Sequence, residues 1–125
     1  MSDNNDSVFG DVIYSYTRAN AIADGVLVDL SKIETVRTHW RFPFACTDTV
    51  YSIIETAIAD DGKDLEGIMH DIGTMAKMQM RRGDMATDTL LFEVIIGRRL
   101  RSLKLHVGPG DTIQPVMTLM LPNED

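Results

Sequence analysis

The spacing of hydrophobic residues changes once along this chain, and that change limits the fold more than any other feature. Between residues 48 and 82 apolar side chains recur at helical spacing, whereas a dense apolar run at 90–96 is followed, up to residue 121, by apolar side chains that alternate with other side chains. The first pattern is typical of helices packed by one face, and the second is typical of strands. The sequence therefore predicts an α+β fold with two central amphipathic helices and a C-terminal three-stranded antiparallel meander.

The ends of the two central helices are marked by capping residues. The first helix is expected to begin at Thr47 or Asp48 and to end before Gly62, which can take the left-handed closing position. The second is expected to begin after Asp64 and to run to about residue 82, with Met75 as part of its buried apolar stripe. Glycine weakens a helix interior, so Gly67 and Gly73 predict that another element packs closely at these positions.

The predicted meander is divided by turn residues. Its strands are expected over 90–96, 102–107 and 116–121, with turns at Gly97 and at residues 108–111. Pro115 cannot donate a ladder hydrogen bond. The last strand is therefore expected to lie at a sheet edge or to begin after this proline.

The N-terminal block predicts a short strand, helix and strand. Residues 12–16 are β-branched or aromatic apart from one serine, and Thr17 can cap a helix over 18–24. Gly25 can close that helix in the left-handed conformation, and 26–28 read as a second strand. The block therefore predicts a strand–helix–strand unit ahead of the central helices.

The segment between this block and the central helices combines a capping signal with aromatic residues. Ser31 and Glu34 have the spacing of a capping box, which predicts a short helix over residues 32–38. Pro43 favours extended backbone in the residue before it, so residues 39–44 are expected to form a connection. Its aromatic side chains are expected to anchor it to the core, and an exposed recognition patch is the alternative; they are Trp40, Phe42 and Phe44.

Composition indicates one domain over residues 1–125, with a flexible N-terminus at 1–8. The chain is 44% hydrophobic and 25% charged, within the usual range for a single core. It contains neither an apolar run long enough to span a membrane nor a secretory signal, so a cytoplasmic location and no membrane contact are expected. Cys46 is the only cysteine, which excludes an intrachain disulfide.

The net charge of −7 is divided unevenly. Residues 1–71 carry a net charge of −8, and residues 72–125 carry +1. Nucleic-acid binding usually uses a basic surface, so direct binding of DNA or RNA is not expected. A local basic cluster is interpreted as solvated charge near a turn rather than a phosphate site; it contains Arg98, Arg99, Arg101 and Lys104.

Three blocks of the chain read GDVIYSYTRANAIADGVLVD (10–29), FPFACT (42–47), and GPGD (108–111) with PVMTLMLP (115–122). Together they resemble an uncharacterised family of small proteins encoded by bacteriophages and plasmids. The resemblance implies a setting on mobile genetic elements. It implies no activity, cofactor or functional residue.

The N-terminal block also offers a candidate ligand site. Tyr14, Tyr16 and Arg18, with Asp24 and Asp29, are residue types that bind a small anion or a nucleotide. The arrangement is faintly similar to the start of ADP-ribosyltransferase-type domains, which would make the chain a small transferase. Structural tyrosines and surface charges are the favoured interpretation.

Other residues that could support chemistry form no recognisable pattern. His39, His70 and His106 are far apart, so no metal site is expected. Cys46 has no histidine close in sequence and is interpreted as a small core residue. The sequence thus predicts no catalytic residue, no metal and no cofactor.

Two groups are candidates for partner binding. Acidic residues surround the turn between the central helices, and methionines and arginines occur at the end of the second helix. The acidic group is Asp60, Asp61, Asp64 and Glu66; the other is Met78, Met80, Arg81 and Arg82. The first is alternatively a solvated turn, and the second is alternatively a homodimer interface or part of the packed helix surface.

The leading hypothesis is an acidic interaction protein that binds and inhibits a host or defence protein, of the anti-CRISPR or anti-restriction type. In this mechanism the acidic group occupies a basic groove on the target. A nucleotide-binding transferase and a homo-oligomeric structural accessory protein are the alternatives.

Overall fold

The computed structural model describes residues 16–83 and 88–124. Over these ranges it contains helices and strands that alternate as far as the third helix, after which a fourth helix and three successive strands follow. The helices are α1 (Arg18–Ala23), α2 (Glu34–His39), α3 (Asp48–Asp61) and α4 (Leu65–Arg81). The strands are β1 (Leu27–Asp29), β2 (Phe44–Thr47), β3 (Thr89–Ile96), β4 (Arg99–Pro109) and β5 (Pro115–Met120). The predicted strand over 12–16 falls outside the described residues except for Tyr16, and so does the predicted flexible segment 1–8.

The strands form one five-stranded mixed sheet in the order β1-β2-β5-β4-β3. The pairs β1–β2, β5–β4 and β4–β3 are antiparallel, and β2 runs parallel to β5. The α+β class is confirmed. The C-terminal strands are part of a larger sheet, because β2, which the sequence analysis missed, joins them to β1.

One face of the sheet carries the core. On β3, Leu90, Phe92, Val94 and Ile96 are buried and alternate with the exposed Leu91, Glu93 and Ile95. The buried set packs in one cluster with the inner sides of α3 and α4, represented by Ile54 and Ile72. The opposite face of β3 lies open to solvent.

The predicted helix ends are confirmed where capping residues marked them. The Thr47 hydroxyl accepts a 3.3 Å hydrogen bond from Val50 N at the start of α3, and Gly62 closes that helix with φ of 67°. At the start of α4, Asp64 Oδ1 accepts from Gly67 N at 2.6 Å.

The predicted capping box of Ser31 with Glu34 is wrong. The N-cap of α2 is Ile33, which makes no side-chain capping bond, and α2 begins at Glu34. Ser31 Oγ instead accepts from Phe44 N at 2.8 Å and donates to Phe44 O at 3.2 Å. The hydroxyl therefore fastens the loop to β2 and has no role in starting the helix.

Two further expectations need correction. β5 begins at Pro115 but lies between β2 and β4, not at an edge. This is tolerated because a proline at the first position of a strand removes only a terminal donor. Of the aromatic residues, Phe44 is buried and Trp40 stacks on it at 6.0 Å between ring centroids, whereas Phe42 is exposed.

None of the helices in the described ranges is long and apolar enough to cross a membrane.

Candidate partner-binding site

Tyr16 and Arg18 of the predicted ligand group form hydrogen bonds with different partners within the chain. The exposed Tyr16 hydroxyl donates to Asp24 Oδ2 at 2.7 Å, and this bond raises the pKa of Tyr16. Arg18 Nη1 donates to Thr118 Oγ1, and Arg18 Nη2 donates to Met117 O, both at 2.7 Å. Tyr14 lies outside the described residues.

The backbone at the start of α1 is also engaged. Asp111 Oδ1 accepts from Arg18 N at 2.7 Å, and Asp111 Oδ2 accepts from Ala19 N at 3.1 Å. Burial lowers the pKa of the Arg18 guanidinium, with the charges of Asp29 and Asp111 acting in the opposite direction. Arg18 therefore fastens α1 to β5.

Most of the acidic group has partners within the chain. Asp61 Oδ1 lies 3.5 Å from Arg98 Nε, and Asp64 caps α4. Glu66 Oε1 accepts from Thr35 N at 3.1 Å and from the Thr35 hydroxyl. Asp60 is exposed on the last turn of α3. The carboxylates thus stabilise the turn region, which reduces their availability to a partner.

The members of the methionine and arginine group differ in their exposure to solvent. Met80 is half-buried and packs against the core, whereas Met78, Arg81 and Arg82 are exposed. Met75, predicted to belong to the core stripe, is exposed as well. Met75 and Met78 face the space beside β3.

A patch of aliphatic side chains lies on the open sheet face. Leu91 is 57% exposed, Ile95 61% and Leu100 63%. Ile95 and Leu100 are direct cross-strand partners in the β3–β4 register. Cross-strand neighbours contact one another, so Ile95 and Leu100 form one apolar surface. Leu91 lies on the same face four residues along β3, beyond Glu93. We call Leu91, Ile95 and Leu100 the aliphatic patch.

A groove adjoins this patch between α4 and the edge of the sheet. One cavity of about 560 Å³ is lined by Met75, Met78 and Arg82 from α4 and by Leu91 from β3. A second cavity of about 320 Å³ is lined by Met75 together with Ile95 and Leu100. Since Met75 and Glu93 line both cavities, we treat them as one feature, the α4–β3 groove.

Hydrophobicity alone does not reveal this surface, because the segment around β3 reads as one dense apolar strand. The segment reads Thr-Leu-Leu-Phe-Glu-Val-Ile-Ile, and most of its members are equally hydrophobic. The charged Glu93 was the available signal. Leu91 and Ile95 are each two residues from Glu93, so they lie on the same, outward face of the strand as Glu93.

Two of the three histidines contact one another. His39 Nε2 and His70 Nδ1 lie 3.2 Å apart, and burial, with the charges of Lys77 and His70, lowers the pKa of His39. Among the described residues, no group of three or more histidine, cysteine or acidic side chains could hold a metal ion.

Cys46 is confirmed as a buried core residue. Burial, followed by the charges of Asp48 and Glu124, raises the pKa of its thiol to about 12. Nucleophilic cysteines need an accessible thiolate, so this environment does not activate Cys46.

The chain was compared with protein-family models, curated proteins and solved structures, and none of the three comparisons finds a match. The resemblance to a bacteriophage and plasmid family therefore stays a prediction.

Proposed function

We propose that this chain is an interaction protein that docks onto another protein through the aliphatic patch and the α4–β3 groove. The observation that carries the proposal is the cross-strand pair Ile95 and Leu100, each more than 60% exposed at the rim of a groove. Surface aliphatics are ordinarily scattered, whereas contiguous ones beside a groove mark protein-binding sites.

The patch can supply enough energy for a specific contact. Fully burying a leucine or isoleucine is worth about 1.5–3 kcal/mol, so burying the exposed fraction of each patch residue is worth about 1–2 kcal/mol. Three such side chains at the centre of an interface can act as its principal anchors.

The partner in this proposal is a host or defence protein, a class that fits the setting on mobile genetic elements implied by the sequence resemblance. Inhibition of a CRISPR or restriction protein would follow if the bound chain covers a surface that the target needs. Asp61, Asp64 and Glu66 have intrachain partners, so the apolar surface replaces the acidic group as the main binding face.

The transferase alternative gains no support from the geometry, because Tyr16 and Arg18 direct their polar groups to different intrachain partners. Self-association through the same patch is the competing use of this surface, and measurement can separate it from docking to a different protein.

Site-specific cross-linking tests the proposal. A photoreactive amino acid replaces Ile95 in one variant and Ile113 in another, and each variant is irradiated in an extract of the bacterial host. Ile113 is a matched control because it is 97% exposed but lies in the loop before β5. We expect one adduct of defined mass from position 95 and none from position 113.

The partner identified by cross-linking is then purified, and its affinity for each variant of the chain is measured. Ile95→Asp and Leu100→Asp should each weaken binding at least tenfold, and Ile113→Asp should change it less than twofold. Equal affinities for the three variants would overturn the proposal. A wild-type sedimentation coefficient that rises with concentration, and stays constant in Ile95→Asp, would instead assign the patch to self-association.

A further inference from the structure

The hydrogen-bond pattern of the β3–β4 hairpin shows which backbone groups of β3 face outward. A two-residue turn, Gly97 and Arg98, connects the strands, and Ile96 lies opposite Arg99. In such hairpins the closing pair exchanges both backbone hydrogen bonds, and bonded pairs recur at every second residue. Beyond the other end of β3, Val107 N donates to Asp88 O at 2.9 Å. Residue 88 is even-numbered like Ile96, so this bond continues the same two-residue pattern.

The odd-numbered residues of β3 therefore direct their backbone groups away from β4. No strand lies beyond β3 in the part of the chain that the structure describes. None of the hydrogen bonds found outside the sheet ladders there involves the N–H or C=O of Leu91, Glu93 or Ile95. The side chains of these three residues also lie on the open face.

The sequence of this edge carries little of the usual protection against strand pairing. Natural proteins protect exposed edges by keeping them short, by adding charges, prolines or bulges, or by covering them with a helix or loop. Here α4 flanks the edge, and the α4–β3 groove separates the two. β3 is eight residues long, and Glu93 is its one charged residue. An edge with unpaired backbone groups and aliphatic side chains on the same residues is suited to receive another strand.

We infer that the partner adds an extended segment antiparallel to β3 as a sixth strand, with a basic residue opposite Glu93 and apolar residues opposite Leu91 and Ile95. This rests on the proposed function and specifies the chemistry of its partner. Directly opposed residues share a face, so a lysine or arginine complements Glu93 while its flanking apolar residues extend the aliphatic patch.

The same charge argues against a second copy as the occupant. Antiparallel self-pairing that aligns Leu91 with Ile95 of the partner chain places Glu93 opposite its own copy, and opposed like charges are destabilising. The net charge of −7 adds repulsion between copies. A different protein with a basic segment fits the edge better.

Amide hydrogen exchange of the ¹⁵N-labelled full chain tests the inference. In the free protein, the amides of Leu91, Glu93 and Ile95 should exchange at least tenfold faster than those of Phe92 and Val94. The probe is the acetylated and amidated peptide Thr-Val-Thr-Lys-Thr-Val-Thr at millimolar concentration. Its binding should slow the three odd-numbered amides at least tenfold.

Two N-methylated forms of the peptide provide matched controls. Methyl groups on the valine and lysine nitrogens remove the donors that face β3, so binding should be lost. Methyl groups on the inner threonine nitrogens face away, so binding should persist. Replacing the peptide lysine by glutamate should weaken binding at least threefold.

Strand addition would be overturned if the odd-numbered amides still exchanged fast with saturating peptide, or if they were already protected in the free chain. It would also be overturned if the peptide did not bind, or if both methylated forms bound equally. Failure of docking itself has a different signature. If Ile95→Asp still weakens binding of the cross-linked partner, docking through side chains stands and only strand addition fails.

Discussion

Arg18 and Thr118 lie 100 positions apart in the chain, and Arg18 Nη1 donates a 2.7 Å hydrogen bond to Thr118 Oγ1. A second bond joins Nη2 to Met117 O. Hydrogen bonds to charged groups contribute about 1.5–3 kcal/mol when buried, and this guanidinium is half-buried, so we expect Arg18→Met to lower the free energy of unfolding by about 1–3 kcal/mol. Urea denaturation measures it. Arg37→Met, at an exposed position of α2, should change stability by less than about 0.5 kcal/mol.

Gly73 permits α2 to approach α4. A Cβ atom built on Gly73 would lie 2.6 Å from His39 Cγ, so Gly73→Ala forces the helices apart. Overpacking of this kind costs about 1–3 kcal/mol, whereas alanine in an unobstructed helix gains about 1 kcal/mol over glycine. We expect Gly73→Ala to destabilise the wild-type chain and to stabilise the His39→Ala variant. Denaturation of all four forms checks this change of sign, and the same effect in both backgrounds would contradict it.

The contact between Gly73 and His39 shows how much of the packing could be predicted from the sequence. The rule that glycine weakens a helix correctly predicted close packing at Gly73, but could not identify the element that packs there. The same prediction was wrong for Gly67, which is exposed and has only the helix's own capping residue, Asp64, beside it. Local signals likewise located the ends of α1, α3 and α4, because a cap acts over three or four residues that are visible together.

The parts that could not be predicted depend on residues distant in sequence. β2 has four residues, all buried, so it shows no alternation to distinguish it from a loop. Ser31 satisfied a local capping rule but bonds Phe44 instead. The candidate site was missed for a related reason. Leu91 and Phe92 are both hydrophobic, and only the pairing of β3 with β4 and its packing against α4 place one outside and one inside.

His39 makes stability depend on pH. Burial and the charges of Lys77 and His70 lower its folded pKa below the ordinary value of 6.5, so between these values the unfolded chain binds more protons. The contribution of His39 is therefore fully present above about pH 6.5 and is lost as pH falls toward its folded pKa. We expect the decrease in unfolding free energy between pH 7.5 and pH 5 to be smaller in His39→Gln and in Lys77→Met than in wild type. Urea titrations at several pH values measure these slopes, and equal slopes would contradict the assignment.

Cys46 should be unreactive in the folded chain. Its side chain has no exposed surface, and its pKa is raised to about 12, so about one thiol in 10⁴ is ionised at pH 8. Because both the thiolate and access to it are required, a disulfide reagent such as dithionitrobenzoate should label the native protein at least 10³-fold more slowly than the urea-unfolded protein. A chain carrying Cys46→Ser and Ser102→Cys is the control, since position 102 is exposed on β4 and should react at similar rates in both states. Rapid stoichiometric labelling of native Cys46 would show that the core around β2 opens readily, contrary to its packing between β1 and β5.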